Sequence, residues 1–389
     1  MTEGPLSGVR VVDFSLYLPG PYASRTLSDL GADVIKVEPL SGDPGAAFMP
    51  GTYAFLNRGK RIVRLNLKHP DGLALALELV GTAAVVVEGF RPGVAQRLGI
   101  GFDACARTNP QIIYASLSGY GQTGPDRDRP GHDVGYEASG GTYAAAVAAG
   151  DELAAPAVPV GDLGGALFAA TTICAHLAGP RYEPVHLDVA LQEAVTHLSV
   201  SRWAAALRDG TDVNILELAA FSPGMGLFRT SDDHWVALAS VEDKFWSGMC
   251  AAIGRPELGD SPYDTHAGRM RERVTLHEAL AEQIGRTRLA DLDGALRRHD
   301  VPLDLVRGPR EIAGDRHLRE RELFLDTEAG TQVDYPVRQN GRRSVAGRTI
   351  QDHADGESDA LRALDISSAR EAALRACGAL APARTGVPA

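Results

Sequence analysis

A parallel α/β sheet is the fold this sequence predicts, on three observations. Short apolar runs rich in β-branched residues recur through the N-terminal third, at residues 9–13, 33–38, 84–87 and 112–117. Helical stretches separate them, and Gly or Pro marks the joins. Strand, helix, strand at this rhythm is the pattern of crossover units that set neighbouring strands parallel.

In chain order, the first strand is VRVVD at 9–13, followed by the turn Leu18-Pro19-Gly20-Pro21. The next helix runs through Leu30, and Gly31 stops it as a C-terminal glycine does. DVIKVE at 33–38 is the second strand, and the turn holding Arg58, Lys60 and Arg61 precedes another. Residues 70–81 form a helix opened by Pro70, whose missing N–H costs nothing in a first turn. Strands follow at 84–87 and 112–117. From 162 to 208 the pattern is helical and rich in small residues, through GALFAATTICAHLAG and HLDVALQEAVTHLSVSRWAAALR. A second α/β-like unit then begins, with a strand at 235–241 and helices near 245–254 and 272–285. The C-terminal stretch, richer in Gly, Arg and Ala, ends in a weakly structured RTGVPA tail.

The bulk composition excludes several function classes. The chain has 389 residues, 44% hydrophobic and 23% charged, as soluble globular proteins do. No apolar run approaches the roughly 20 residues that span a bilayer. The N-terminus lacks a basic flank followed by an apolar segment, so no secretory signal and no membrane association are expected, and the default location is cytoplasmic. Cys105, Cys174, Cys250 and Cys377 show no CxxC pair and no Cys/His metal spacing, so they read as reduced thiols and no metal is expected. With 39 basic against 50 acidic residues the net charge is −11, which disfavours nucleic acid as a partner. A small anionic ligand stays compatible, since a few local Arg and Lys residues suffice to hold it.

Several stretches together resemble the family III CoA-transferases and α-methylacyl-CoA racemases (the CaiB/BaiF superfamily), and lie closest to the racemase branch. They are GVRVVDFSLYLPGPYASRTLSDLGADVIKVEPLSGD, FLNRGKRIVRLNLKHPDG, VVVEGFRPGVAQRLGIG, ASLSGYGQTGP, GHDVGYEASGG, VPVGDLGGALFA and VPLDLVRGPREIAGDRHLRERELF, in family order. The resemblance implies a Rossmann-like large domain built from the N- and C-terminal parts, with a smaller α/β domain inserted. In this sequence that division reads as 1–200, a linker at 201–222, the small domain at 223–325 and a return to the large domain at 326–389. It also implies an interlocked homodimer and an acyl-CoA substrate, with no cofactor beyond the coenzyme A of that thioester.

Phosphates want charge-assisted donors, and the family's CoA site maps onto Lys36, Arg58, Lys60, Arg61 and Arg91. A dinucleotide site is not indicated, because the first turn is LPGPYA with no GxGxxG.

Proton abstraction next to a thioester carbonyl needs a base, an acid and donors for the developing enolate oxygen. The resemblance implies that His132, in the His132-Asp133 pair of GHDVGYEA, is the racemase branch's proton-exchanging histidine. Asp162, in VPVGDLGGALFA, is the opposing acid/base in racemases and the covalent acyl carrier in transferases. Free N–H groups at the head of its helix, that of Asp162 included, are expected to hold the enolate oxygen, with Gly161, Gly164 and Gly165 allowing close approach. Glu242 matches a glutamate that reaches the catalytic histidine from the other subunit, and Tyr136 is a supporting residue.

His132-Asp133 and Glu242 favour a racemase acting on a 2-methylacyl-CoA by two-base proton transfer. Leu18 stands where transferases tend to have glutamine, and the small domain lacks a glycine run. The alternative is CoA transfer between carboxylic acids through an anhydride on Asp162. A catalytically silent CoA-binding subunit is a third reading. Val158 and Met225 depart from the racemase pattern near the acyl pocket.

Overall fold

The computed structural model describes residues 4–180, 182–210, 214, 218, 221–327, 330–343, 360–361, 364 and 366–382. The chain divides into two compact units: Met1–Tyr143 with Ala154–Val200 and Arg316–Ala389, and Ala144–Leu153 with Ser201–Asp315.

The first unit holds a six-stranded sheet: β1 (Arg10–Asp13), β2 (Asp33–Glu38), β3 (Arg61–Arg64), β4 (Val85–Glu88), β5 (Ile113–Ser118) and β6 (Val185–Ala190). Its order is β3-β2-β1-β4-β5-β6 and every neighbouring pair is parallel. Val11, Val12, Ile35, Val86 and Ile113 are fully buried, because both faces are covered. On one face α2 (Pro70–Gly81) packs Leu75, Ala76 and Leu79 against Val12, Ile35 and Val63. On the other, α1 (Pro19–Asp29) and α4 (Val160–Ala178) bring Ala23, Leu27, Ala166, Ala169 and Ile173 onto Val11, Val34 and Val85. The strand order reverses between β1 and β4, and ligands of such sheets bind outside the carboxyl ends of the strands at that reversal.

Two expectations change here. The sequence pattern merges β6 with the following helix, because HLDVA runs straight into the helical LQEAVTH of α5 (Leu191–Ser199). As an edge strand it alternates half-buried and exposed residues and carries His186 and Asp188, which dilutes the apolar signal of an inner strand. Second, α4 is, by length and composition, apolar enough to cross a membrane, contrary to the expectation that no run reaches that length. Its stripe Gly161, Gly165, Ala166, Ala169, Ala170 and Ile173 is buried in this unit, as in a core helix.

The second unit contains an antiparallel sheet, β7 (Met225–Arg229), β8 (Trp235–Ala239) and β9 (Leu303–Leu305). The helices α6 (Asp243–Ala252), α7 (Arg273–Gly285) and α8 (Leu289–Arg298) cover it through Trp246, Met249, Leu280, Ile284, Leu292 and Leu296. Residues 144–153 join this unit because Arg273 donates to the Ala149 carbonyl at 2.9 Å and pairs with Asp151 at 3.7 Å. The expected RTGVPA tail and most of 211–220 lie outside the described residues.

Candidate active site

Two helices meet at the carboxyl side of the first unit's sheet. α3 (Asp133–Gly140) starts directly after His132, and α4 starts at Val160 with no side-chain cap of its own. A helix start leaves N–H groups unpaired, and here α3 supplies the acceptors. Asp133 Oδ1 accepts the Asp162 N–H at 2.8 Å, and Glu137 Oε1 accepts the Val160 N–H at 3.1 Å. Gly161 permits this approach: a Cβ there would lie 2.9 Å from Asp133 Oδ1 and 3.0 Å from Val195 Cγ2. Gly164 is similarly close-packed, with Leu198 Cδ1 at 2.7 Å from its would-be Cβ. The expectation that the Asp162 N–H holds an enolate oxygen is thereby corrected, since Asp133 already occupies that donor.

Three carboxyl groups therefore share one helix start. Burial, and then the negative charges of Asp133 and Glu137, push the Asp162 carboxyl up to about 7. Glu137 is fully buried and is also pushed up, by burial first and then by its hydrogen bond with Asp133. Tyr136, one turn from His132, packs under Gly119 and Gly131, where an added Cβ would lie 2.6 and 2.5 Å from its ring. Its hydroxyl is raised to about 12, by burial first and then by the Asp162 charge. Its ring meets Tyr120 edge-on at 5.4 Å.

His132 is exposed, and its imidazole has no hydrogen-bond or ion-pair partner among the described residues. Its carbonyl accepts the N–H groups of Gly135 and Tyr136. The structure thus brings His132, Asp133, Tyr136, Gly161, Asp162 and Gly164 to one pair of helix starts. Glu242 belongs to the second unit, where it is the exposed residue just before α6. That unit also holds a cavity of about 450 Å³ lined by Phe221, Met225, Arg273, His277 and Glu278, which places Met225 on a pocket wall.

The five expected phosphate contacts divide sharply. Lys36 is fully buried, donates to the Ser15 carbonyl at 2.6 Å and pairs with Asp43 at 3.2 Å. Lys60 is equally buried, against Asp13 at 3.1 Å, the Pro21 carbonyl and Asn57. Arg58 spans Asp29, Asp334 and the Val333 carbonyl. These three side chains have no surface to offer an anion, and they tie the unit together instead. Arg61 is corrected for a different reason: it opens β3 and pairs with Asp33, which opens β2, at the edge opposite the carboxyl ends. Arg91 alone keeps its expected setting. It is exposed, follows β4 at the strand-order reversal, and its charge is felt by the Tyr136 hydroxyl.

Glu137 is the residue that motif reading missed. The available signal was its spacing: one helical turn after Asp133, it shares that residue's face of α3 and meets the same helix start.

Known proteins resemble this chain over most of its length. The model of CoA-transferase family III matches residues 6–349. The chain is similar to the succinyl-CoA–L-malate CoA-transferase beta subunit of Chloroflexus aurantiacus, with 30% identity, 84% of this chain and 84% of the relative covered. It is similar also to acetyl-CoA:oxalate CoA-transferase of Acetobacter aceti, with 29% identity over 92% and 95% of the two chains. Among solved structures, a CAIB/BAIF family protein from Brucella suis superposes with a TM-score of 0.81 at 25% identity, covering 94% of this chain and 100% of that one.

Proposed function

Because the chain belongs to CoA-transferase family III, we propose that it moves coenzyme A between two carboxylic acids, with Asp162 as the acyl carrier. The relatives above are named as transferases, which moves the reading from proton transfer at an α-carbon to acyl transfer. The observation that carries it is one carboxyl group, Asp162, set at a helix start beside the sheet's carboxyl edge and held near neutrality by burial and by two neighbouring carboxyls.

The ionised Asp162 oxygen attacks the thioester carbonyl, the C–S bond breaks, and coenzyme A leaves as thiolate with the electron pair. A mixed aspartyl anhydride remains. The thiolate then attacks the aspartyl carbonyl, releasing the first acid and leaving an aspartyl thioester. The second acid's carboxylate repeats the sequence in reverse and departs as its own thioester. A carboxylate suits both roles, as nucleophile and as leaving group. Arg91 is the proposed phosphate contact for the nucleotide end. The relatives' names point to short dicarboxylic acids, so succinyl-CoA with malate or oxalate is the first pair to assay. An interlocked homodimer, with Glu242 supplied by the second chain, belongs to the same proposal.

Asp162 must lose its proton to attack, so kcat/KM should fall about tenfold per pH unit below a limb near pH 7. Asp133→Asn removes one like charge and should move that limb downward without abolishing it, since burial is the larger cause. A limb left in place by this substitution would remove Asp133 from the account.

The racemase reading keeps one observation in its favour, the exposed imidazole of His132 beside this site, unpartnered among the described residues. Incubation with a 2-methylacyl-CoA in deuterated water separates the two. Transfer onto a second acid without α-deuterium supports the proposal, while α-deuterium with scrambled chirality and no transfer overturns it. His132→Ala should leave transfer within a few-fold of the parent rate.

A further inference from the structure

On the surface of the first unit, beyond the end of β3, three side chains with metal-ligating atoms converge. His69 precedes α2 as its N-cap and Asp71 is that helix's second residue. Cys377 is the C-cap of α9 (Ser368–Ala376). Cys377 Sγ lies 3.7 Å from Asp71 Oδ2, and His69 Nδ1 lies 3.8 Å from the same oxygen. One ligand atom from each residue falls within 4.8 Å of the other two. A separation of 306 residues between Asp71 and Cys377 hides this arrangement from any reading of motif spacing.

The frame beneath these side chains is fixed. The Asn66 N–H donates to the Ala379 carbonyl at 2.9 Å, and the Ala381 N–H to the Arg64 carbonyl at 3.1 Å. Leu65 and Leu380 form an antiparallel bridge between the two segments. Gly72 lets them close up: a Cβ there would lie 2.2 Å from the Asn66 carbonyl oxygen and 3.2 Å from that of Ala379. Leu374 and Leu380 are buried in the sheet's core beside Leu75 and Leu79. The two arginines of the same helix are engaged, Arg370 by Glu78 at 2.9 Å and Arg375 by Glu371 at 2.7 Å.

Tetrahedral zinc, bonded to sulfur at ~2.3 Å and to nitrogen or oxygen at ~2.0 Å, holds its ligand atoms about 3.3–3.5 Å apart. The separations here exceed that by amounts that small side-chain rotations supply, and Asp71 and Cys377 are exposed and free to make them. We propose that His69, Asp71 and Cys377 bind one zinc ion, with water in the fourth position, and that the ion staples the C-terminal helix to the start of α2. A thiolate and an imidazole together favour zinc over magnesium or calcium. On binding, the Cys377 thiol releases its proton to solvent, and His69 gives up the hydrogen bond it accepts from the Asp71 N–H at 3.2 Å.

Cobalt(II) is the probe that reads a thiolate ligand directly. The full-length chain, reduced with a phosphine and stripped of metal, should bind one equivalent with a near-ultraviolet thiolate-to-cobalt band and intensified visible bands, both removed by one equivalent of zinc. Cys377→Ser should abolish the near-ultraviolet band, and Cys377→Ser, His69→Ala and Asp71→Asn should each weaken zinc binding at least about tenfold. Cys105 and Cys250 are buried and Cys174 is half-buried, so the serine variant identifies the thiol. No band, or a band that persists in Cys377→Ser, overturns the site. Amide exchange over 368–381 should slow on adding zinc, and unchanged exchange with zinc bound overturns the staple.

Discussion

Asp162→Ala is expected to reduce CoA transfer by about 10³-fold or more, because it removes the carboxyl group that forms the anhydride and then holds coenzyme A as a thioester between donor and acceptor. The same substitution should not weaken the fold. The N–H that Asp133 holds at 2.8 Å belongs to the backbone and survives truncation. The side chain itself is a cost at alkaline pH: its folded-state pKa of about 7 lies above the ordinary 3.8, so folding opposes its ionisation. For an acid raised in this way, stability declines as pH climbs from the unfolded value through the folded one. Asp162→Ala should therefore match or exceed the parent's Tm at pH 8 while losing activity. Mass spectrometry supplies the direct check: hydroxylamine added during turnover should label residue 162 of the parent and nothing in the variant. Transfer that persists in Asp162→Ala, or a label on another carboxylate, would sink the assignment.

Much of this site could be read in the sequence, and the reasons for success and failure are physical. DVIKVE and the helix opened by Pro70 were legible because a buried parallel strand and a Pro-started amphipathic helix impose strong local patterns. Asp162 and the His132-Asp133 pair stood out through motif context. Their relation did not: that Asp133 would accept the Asp162 N–H depends on the adjacent Gly161 having no Cβ, a three-dimensional fact. The basic residues show the opposite failure. Lys36 and Lys60 look like ligand contacts in a linear reading, since lysine is seldom buried. Each has a buried acidic partner, and only the fold reveals Asp43 and Asp13 at their ammonium groups. Arg61 and Arg91 look alike in sequence too. Parallel topology separates them, because one begins a strand and the other follows one.

Asp13→Ala should be the most destabilising single change among these residues, and the reason connects the buried charges to the crevice. Asp13 ends β1, is fully buried, and accepts from the Ser15 N–H at 2.9 Å, from the hydroxyls of Ser15 and Ser24, and from Lys60. Burial alone would raise its pKa, but the ammonium groups of Lys60 and Lys36 and the Ser15 and Ser24 hydrogen bonds together outweigh that and hold it at about 2. Removing one member of a buried pair strands the other, at a cost of about 3–5 kcal/mol. In a unit of this size that corresponds to a fall in Tm on the order of 10 °C. Lys60 sets the ceiling. Burial already depresses it to about 8 even with Asp13 present, so without its partner it sheds its proton near neutrality rather than remain charged. Asp13→Ala should therefore cost less at pH 9 than at pH 6. Combining it with Lys60→Met should recover part of the loss, and a double variant no better than the sum of the singles would mean the pair is not coupled. In the parent, this contribution of Asp13 is fully present above about pH 4 and is lost as pH falls through about 2. The same contacts fix the first residues after β1: Ser15 is bound through its N–H by Asp13 and through its carbonyl by Lys36. Those residues form one wall of the strand-order reversal whose other wall carries Arg91. On the proposed function, Asp13→Ala should raise KM for the thioester more than it lowers kcat.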